Sequence, residues 1–428
     1  MRIVRSLLCL TALLAVSTFC NAAEEVQKNK ALSLEECIEI AMRGNVDVLT
    51  AKNNVTAAKN RSVSAKSDYL PQMSVQNNAF TWGSDGVLNK TTTGTALTVS
   101  QNIFDGGLRE ANVQSAKYGM TQNTAKLTRT VQTVDYNVSK SYYEVLRARH
   151  LAGVAEANVN YNKGLLDQVQ ARAEVGAAAK IDILPIEAQL ASARVSLLSA
   201  QNTVRTSAIQ LQNIMGLTSQ PGFDIAEVDE TPAADSMPLD EYVATALKSR
   251  PDILENQAAI GSAKALVKSA KISLYPRPAV TAEYQRQVSG GFTTGGTQVV
   301  GGIVYNIFNG GANRAAYKEA KANQANAELQ EEQMGRDIRS EVEEAYYNLT
   351  NAQERVTASA LSLKAADNNY QAQKERYSQG LGTTLDLLNA EVQFVTAQSD
   401  DVQARYDYYI AVAQMEYAVG KQGGAYEK

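Results

Sequence analysis

The chain reads as a mainly helical protomer with membrane β-strands, assembled from two tandem copies of one unit. Three features carry this reading. The phrase "SQNIFDGGLREA" at 100–111 returns as "VYNIFNGGANRA" at 304–315. Each phrase leads into a helical run too long for any single globular core. Each is also preceded by two segments of strand character.

The N-terminus is "MRIVRSLLCLTALLAVSTFCNAAEE". Arg2 and Arg5 make a basic start, Leu7–Val16 is an apolar run too short to span a bilayer, and small residues follow around Cys20–Ala23. Residues 1–22 therefore read as a secretory signal, cut after Ala22 or Ala23. A lipoprotein signal needs a small residue immediately before its cysteine. Phe19 stands there, which rejects lipidation at Cys20. No later run is long and apolar enough for a membrane helix. Loss of Arg2 and Arg5 takes the formal charge from −4 to −6, and a mildly acidic exported chain argues against nucleic acid as a partner. Cys9 and Cys20 leave with the signal. Cys37 then has no intramolecular disulfide partner and reads as a small buried apolar residue. Length alone would allow two or three ordinary domains. Abundant Ala, Gln, Asn and Ser, with only 8 prolines, argue against them.

The repeat is the organising feature. "LSLEECIEIAMRGNVDVL" (32–49) matches "MPLDEYVATALKSRPDIL" (237–254), placing Leu34 on Leu239 and Pro71 on Pro276. Phe104 then falls on Phe308, one residue short of the earlier shift. The new shift holds for Tyr142-Tyr143 on Tyr346-Tyr347, Gly176 on Gly380, Asp182 on Asp386, Glu187 on Glu391 and Gly216 on Gly420. The first repeat is 23–217 and the second 237–420. Between them 218–236, "TSQPGFDIAEVDETPAADS", reads as an acidic linker, and 421–428 is a short tail.

Each copy opens with a helix, from Leu34 to Leu70 in the first, where Ser33 and Glu36 have the spacing of a capping box. Asp240 fits the first turn of the second copy's helix, and Pro71 and Pro276 end the two helices. Next come "QMSVQNNAFTWG" and "TGTALTVSQNIF" in the first copy. In the second, "AVTAEYQRQV" (279–288) puts Val280, Ala282 and Tyr284 on one face, and "VGGIVYNIF" (300–308) follows. Each segment is roughly 10–12 residues, enough for a tilted membrane strand. The glycines of "SGGFTTGG" (289–296) read as an exposed hairpin loop rather than a nucleotide cradle.

The repeated phrase is a strand-to-helix joint. Phe104 and Phe308 are candidates for the aromatic girdle, and Asp105 and Asn309 are good N-caps. Gly106-Gly107 and Gly310-Gly311 let the backbone swing from strand into helix. The runs from Gly106 to Gly176 and from Gly310 to Gly380 are both about 70 residues, on the order of 100 Å of helix at ~1.5 Å per residue. The returning helices, Asp182 to Gly216 and Asp386 to Gly420, are half as long. A returning and an opening helix laid end to end match one long helix, which suggests a wall of constant height. Ile183, Ile186, Leu190, Ala193, Leu197, Ala200 and Val204 keep a 3-4 spacing. Leu387, Ala390, Phe394, Ala397, Asp401, Ala404, Tyr408, Ala411, Met415 and Ala418 keep the same rhythm, that of a coiled-coil seam.

Four strands cannot close a barrel, and open edges in hydrocarbon leave backbone groups unsatisfied. Other copies must finish the sheet. Two chains give eight strands, with an interior filled by side chains; three give twelve, with room for water. Counting alone also admits four chains. Polar Thr281, Glu283 and Gln285 favour a wet lumen.

With this plan in hand, the chain resembles the TolC-type outer-membrane efflux family. The resemblance rests on the tandem repeat, "NIFDGG" and "NIFNGG", "LSLEECIEIAMRGNVDVL", and "GLGTTLDLLNAEVQ" (380–393). It implies a homotrimer embedded in outer-membrane lipid, with a 12-stranded β-barrel continuous with a long α-helical barrel in the periplasm. It implies too an exit duct that works with a periplasmic adaptor (membrane fusion) protein and an inner-membrane pump of RND, ABC or MFS type, in efflux or type I secretion. The alternative is a trimeric coiled-coil structural or adhesin-like protein. Such a protein usually carries its barrel at one chain end, whereas here strand pairs lie inside both repeats.

No catalytic constellation emerges. His150 is the single histidine, mid-helix in "EVLRARHLAGV", and reads as a surface or interhelical packing residue. One histidine and one mature cysteine cannot build the usual zinc patterns, and no phosphate loop, HExxH or G-x-S-x-G occurs. No cofactor is expected. The informative polar positions lie in the turns "EVGAAAKIDILPIEAQ" (174–189) and "SQGLGTTLDLLNAEVQ" (378–393). Gly176 and Gly380 suit left-handed helix ends, and Thr383 or Thr384 can cap the next helix. Asp182 and Asp386 fall where an acid favours the helix dipole. Alternatively, symmetry-related copies of Asp386 ring a tunnel mouth and favour cations. In the resembled family this turn carries two aspartates three residues apart. Here Asp386 is followed by Asn389, and Gly382 stands where some relatives place a basic residue. The expectation is a cation-selective pore with a weakened acidic constriction at Asp386, Asn389 and Asp182. The resemblance further assigns adaptor docking to the tip residues Gly176, Ala177, Gly380, Leu381 and Gly382.

Overall fold

A computed structural model describes residues 31–84, 87–175, 179–218, 224–228, 237–289 and 291–421, with 80–84 and 87–92 through their backbone alone. The signal segment, Gly176, Ala177, most of the linker and nearly all of the tail lie outside the described residues.

The first copy comprises α1 (Leu34–Gly44), α2 (Val46–Ser67), β1 (Gln72–Ser84), β2 (Val87–Phe104), α3 (Leu108–Glu174) and α4 (Ile183–Ile214). The second comprises α5 (Leu239–Ser249), α6 (Pro251–Ile272), β3 (Arg277–Ser289), β4 (Phe292–Val304), α7 (Ala312–Ser378) and α8 (Thr384–Val419). Three helix pairs agree in length: 11 residues for α1 and α5, 22 for α2 and α6, 67 for α3 and α7. At ~1.5 Å per residue, α3 and α7 each extend about 100 Å. No described helix is long and apolar enough to cross a membrane.

The opening helix is not continuous, contrary to the sequence expectation. It breaks at Asn45, whose extended backbone both ends α1 and N-caps α2, the side chain accepting the Asp47 and Val48 N–H groups. Arg250 makes the same break in the second copy, with Pro251 at the first position of α6, where its missing N–H is harmless. The Ser33–Glu36 capping box is present on both arms, at 3.0 and 3.2 Å.

All four strands form one antiparallel sheet in the order β1-β2-β3-β4. Three strand boundaries depart from expectation, the first being β2, which already begins at Val87 and runs for 18 residues. Gly295 and Gly296 belong to β4, so the second hairpin closes at the Ser289–Phe292 pair rather than looping across 289–296. β4 also stops at Val304, opposite Arg277, leaving Tyr305–Phe308 outside the ladder. β2 continues to Phe104 because β3 lies beyond it and supplies Val280 as a partner. β4 is an edge with only β3 beside it, and β3 begins at Arg277, so residues 305–308 have no strand to pair with.

Helix packing continues the order of the strands. Near the sheet, α3 lies between α2 and α6, and α6 also packs on α7; farther away, α3 lies between α4 and α8, and α8 packs on α7. The largest buried cluster joins α1, mid-α3 and the ends of α4 and α8 through Cys37, Tyr142, Leu146, Leu211 and Tyr409. Cys37 is fully buried as expected; burial, then the nearby Glu36 carboxylate, pushes its thiol up to about 12. The described part of the linker is strapped across α3. Ile225 bridges to Leu32, the Tyr142 hydroxyl donates to the Ala226 carbonyl at 2.7 Å, and Arg149 donates to the Ile225 carbonyl at 2.9 Å. His150 is half-exposed on α3 and lies 3.0 Å from Glu227 of the strap.

Candidate functional site

Two places in each copy hold the sequence-predicted residues: the joint between sheet and long helix, and the far turn between long and returning helix. At the first joint Gly106 and Gly107 both adopt the left-handed backbone, φ 75° and 91°. Gly107, not Asp105, is the residue flanking the first helical turn. Asp105 still supplies the capping oxygens from two residues upstream, accepting the Gly107 N–H at 3.2 Å and the Arg109 N–H at 3.1 Å. In the second copy Gly310 and Gly311 take φ 66° and 84°, and Asn309 accepts the Asn313 N–H at 3.5 Å.

The joint contains a residue that sequence reading missed. Arg109 is 6% exposed, and its guanidinium donates to the carbonyls of Asn102 at 2.7 Å, Asp68 at 3.1 Å and Ile103 at 3.3 Å while lying 3.9 Å over the Tyr69 ring. It pins the end of α2, the end of β2 and the start of α3 together. The only sequence cue was a cation two residues after a glycine pair. At the second joint Asn313 reaches the Ser273 carbonyl at 2.9 Å, the repeat counterpart of the Asp68 contact. The two aromatic candidates differ: Phe104 is half-exposed at a strand end, whereas Phe308 is 86% exposed and outside the ladder.

At the far turn of the second copy, Gly380 is left-handed, φ 75°, and Gln379 ends α7. Leu381 donates its N–H to the Arg376 carbonyl at 2.8 Å, and its side chain is exposed. A side chain at Gly382 would come within 3.3 Å of the Tyr377 nitrogen. Thr383 is the N-cap of α8. Its hydroxyl accepts the Asp386 N–H at 3.1 Å and donates to Asp386 Oδ2 at 2.6 Å, while the Thr383 N–H donates to the same oxygen at 3.3 Å. The Thr383 hydroxyl, then its backbone N–H, holds the Asp386 carboxyl below its ordinary value, so it is ionised at neutral pH. Asp386 and Asn389 are both exposed on the outer turns of α8. In the first copy Asp182 ends a short 3-10 turn, Lys180–Asp182, and accepts the Ala179 N–H at 3.3 Å. Among the described residues no group of three or more His, Cys, Asp or Glu side chains could hold a metal ion.

A second missed constellation sits where α8 ends against the α5–α6 break. Arg250 is 5% exposed and donates to Asp252 at 2.6 Å, Glu341 at 2.6 Å and the Ala418 carbonyl at 3.0 Å. Arg129 joins it from α3, donating to the Tyr417 carbonyl at 2.9 Å with its guanidinium 3.8 Å over the Tyr417 ring. This network ties α3, α6, α7 and α8 together. It is a structural bolt.

Twin rods of equal length, a four-stranded antiparallel sheet joined to both by glycine corners, and acid-bearing turns at the far end describe a duct through a membrane. The chain belongs to the outer membrane efflux protein family, whose profile matches residues 37–217 and 243–421. It is thereby an outer-membrane export channel and not an enzyme, and the adhesin-like alternative falls away. Among individual proteins, it is 25% identical over 386 residues to the outer membrane efflux protein BepC of Brucella suis biovar 1 (strain 1330), covering 89% of this chain and 84% of that one. It is 24% identical over 413 residues to the outer membrane protein TolC of Escherichia coli (strain K12), covering 92% and 83%. Its fold superposes on the crystal structure of CusC with a TM-score of 0.80 at 17% identity, over 91% of this chain and 92% of that one.

Proposed function

We propose that three copies of this chain close side by side into a twelve-stranded membrane barrel standing on a helical barrel, the exit duct of a tripartite efflux or type I secretion assembly. The observation that carries this reading is the open sheet. β1 and β4 are its two edges, and in hydrocarbon their unpaired backbone groups would each cost several kcal/mol. A neighbouring copy supplies the missing ladder, and three copies leave a water-filled lumen. The same two edges continue down the helices. Val195 and Leu198 on α4, and Leu329, Tyr347 and Leu361 on α7, are exposed apolar side chains that a neighbour would cover.

In this trimer Phe104 and Phe308 sit in the interfacial girdle, and six glycine corners mark where barrel becomes tube. Asp386, with Asn389 and Asp182, forms the constriction at the periplasmic mouth. Gly176, Ala177, Gly380, Leu381 and Gly382 form the tip on which a periplasmic adaptor docks, and exposed Ile181, Leu381 and Leu385 give it an apolar rim. An inner-membrane pump of RND, ABC or MFS type delivers the cargo. Detergent-extracted protein is expected to run as a heat-labile trimer on gels; a strictly monomeric species overturns the architecture. In planar bilayers, Asp386→Ala is expected to lower cation selectivity and weaken blockade by multivalent cations. Unchanged conductance and blockade would remove the acidic ring from this reading.

A further inference from the structure

Just above the mouth turns, the seam between α3 and α8 encloses a carboxyl group that the duct itself does not need. Glu391 is 2% exposed and Asn162, facing it from α3, is fully buried. Glu391 Oε1 accepts a 2.6 Å bond from Asn162 Nδ2, which also donates to the Asn158 carbonyl at 3.0 Å and the Asn158 side chain at 2.7 Å. The amide hydrogens are thus committed, while Asn162 Oδ1 and Glu391 Oε2 are both buried acceptors without a donor. A carboxylate can only accept; a carboxylic acid turns one of those oxygens into a donor and relieves the shortage.

The surroundings favour the neutral form. Leu165 and Val169 of α3, Ile183 and Ile186 of α4, and Leu387, Leu388 and Phe394 of α8 pack around the pair. The titratable groups that face it are Tyr161 from α3 and Tyr370 and Tyr377 from α7. Tyr161 and Tyr370 are pushed up by burial first and so stay neutral phenols. The nearby cations lie against those rings, Lys374 at 6.0 Å from the Tyr370 centroid and Arg172 at 5.5 Å from that of Tyr377. Burial pushes the Glu391 carboxyl up to about 7, against a smaller downward pull from the Asn162 amide. The repeat counterpart, Glu187, is exposed on α4, and the residue matching Asn162 is Ala366. The pairing therefore occurs in one copy only.

We propose that Glu391 is a protonation-controlled latch on the α3–α8 seam: as the neutral acid it holds the seam closed against Asn162, and as the carboxylate it loosens the seam and favours an open mouth. This rests on reading the far turns as the channel mouth. A carboxyl whose pKa is raised in the folded state contributes stability that is complete below its ordinary value and lost as pH rises through about 7.

The test uses the full-length channel in two measurements between about pH 5.5 and about pH 8.5. Amide hydrogen exchange across 384–400, corrected for intrinsic rate, is expected to rise several-fold in wild type as pH passes 7. It is expected to stay at the low-pH level in Glu391→Gln and Glu391→Met, and to follow wild type in Glu187→Gln. Single-channel conductance in planar bilayers is expected to rise over the same interval with the same variant pattern. An exchange step that persists in Glu391→Gln or Glu391→Met overturns the latch, as does a conducting channel indifferent to pH. Absence of conductance in every variant instead strikes the channel reading, and the exchange data then decide the latch alone.

Discussion

At the break in the opening helices the first copy places Asn45 and the second Arg250, and at the strand-to-helix joint the first copy places Arg109 and the second Asn313. The types are exchanged, yet the targets correspond. Asn45 donates to the Ile214 carbonyl at 2.8 Å and Arg250 to its repeat counterpart Ala418 at 3.0 Å. Arg109 reaches the Asp68 carbonyl and Asn313 its counterpart Ser273. A third pair departs from this pattern. Gly44 approaches the Met215 carbonyl so closely that a Cβ would sit 2.7 Å away, whereas its counterpart Ser249 donates a hydroxyl to Val419 at 2.8 Å. What the first two pairs retain is the demand of an orphan carbonyl at a helix end, and any donor of suitable reach satisfies it. The arginines differ from the asparagines in recruiting more: Asp252 and Glu341 around Arg250, the Tyr69 ring beneath Arg109.

That difference is most open to attack at Arg250. Removing one partner from a buried ionic network leaves the others uncompensated, so Arg250→Ala is expected to cost about 3–5 kcal/mol. Asn45→Ala removes a cap and one bond, about 1–2 kcal/mol. Guanidinium midpoints and the dissociation temperature of the extracted oligomer measure both. Equal losses would mean that the second copy's network adds nothing to the shared carbonyl contact.

How much of this was legible follows from what a sequence can encode locally. The repeat, the 67-residue rods, the Ser33–Glu36 box, the left-handed Gly380 and the glycine corners all rest on contacts within a few residues of each other. The helix break at Asn45 escaped because helical periodicity runs through it, and the end of β4 because nothing in "VGGIVYNIF" says which strand is an edge. Arg109, Arg250 and the Asn162–Glu391 pair escaped for a different reason. Each has a partner tens to hundreds of residues away, and a lone Arg or Glu in a polar helix looks solvated until that neighbour is known. At the far turn, the sequence offered helix capping and an acidic ring as rival roles for Asp386. The bonds to Thr383 account for capping without using up the exposure that a ring needs.

The joints sharpen the comparison at a smaller scale. Arg109 is itself buried and serves three carbonyls at once, so Arg109→Ala is expected to cost about 2–4 kcal/mol. Asn313→Ala loses one bond at a half-buried position, about 1 kcal/mol. If the second joint gains its strength from a neighbouring chain, Asn313→Ala will lower the dissociation temperature of the oligomer more than its intrachain contacts account for. Measuring both variants at two protein concentrations separates these contributions.

The smallest expected effect lies at the far turns, where one substitution should make the first copy resemble the second. Thr383 and its counterpart Ala179 share an extended backbone, φ −92° ψ 156° and φ −78° ψ 140°. Each donates its N–H to the acid three residues on, Asp386 or Asp182, at 3.3 Å. Ala179 lacks only the hydroxyl that would accept the Asp182 N–H in return, a donor now spent on the Ala179 carbonyl at 3.0 Å. Ala179→Thr is therefore expected to convert the 3-10 turn into a capped first helical turn and stabilise the start of α4 by about 0.5–1 kcal/mol, with Thr383→Ala weakening the start of α8 by a similar amount. Hydrogen exchange at 183–187 and 387–391 reads the two changes in opposite directions. Protection that fails to rise in Ala179→Thr would place the 3-10 turn under the control of contacts beyond the turn itself, and the two far turns would then differ in packing rather than in one hydroxyl.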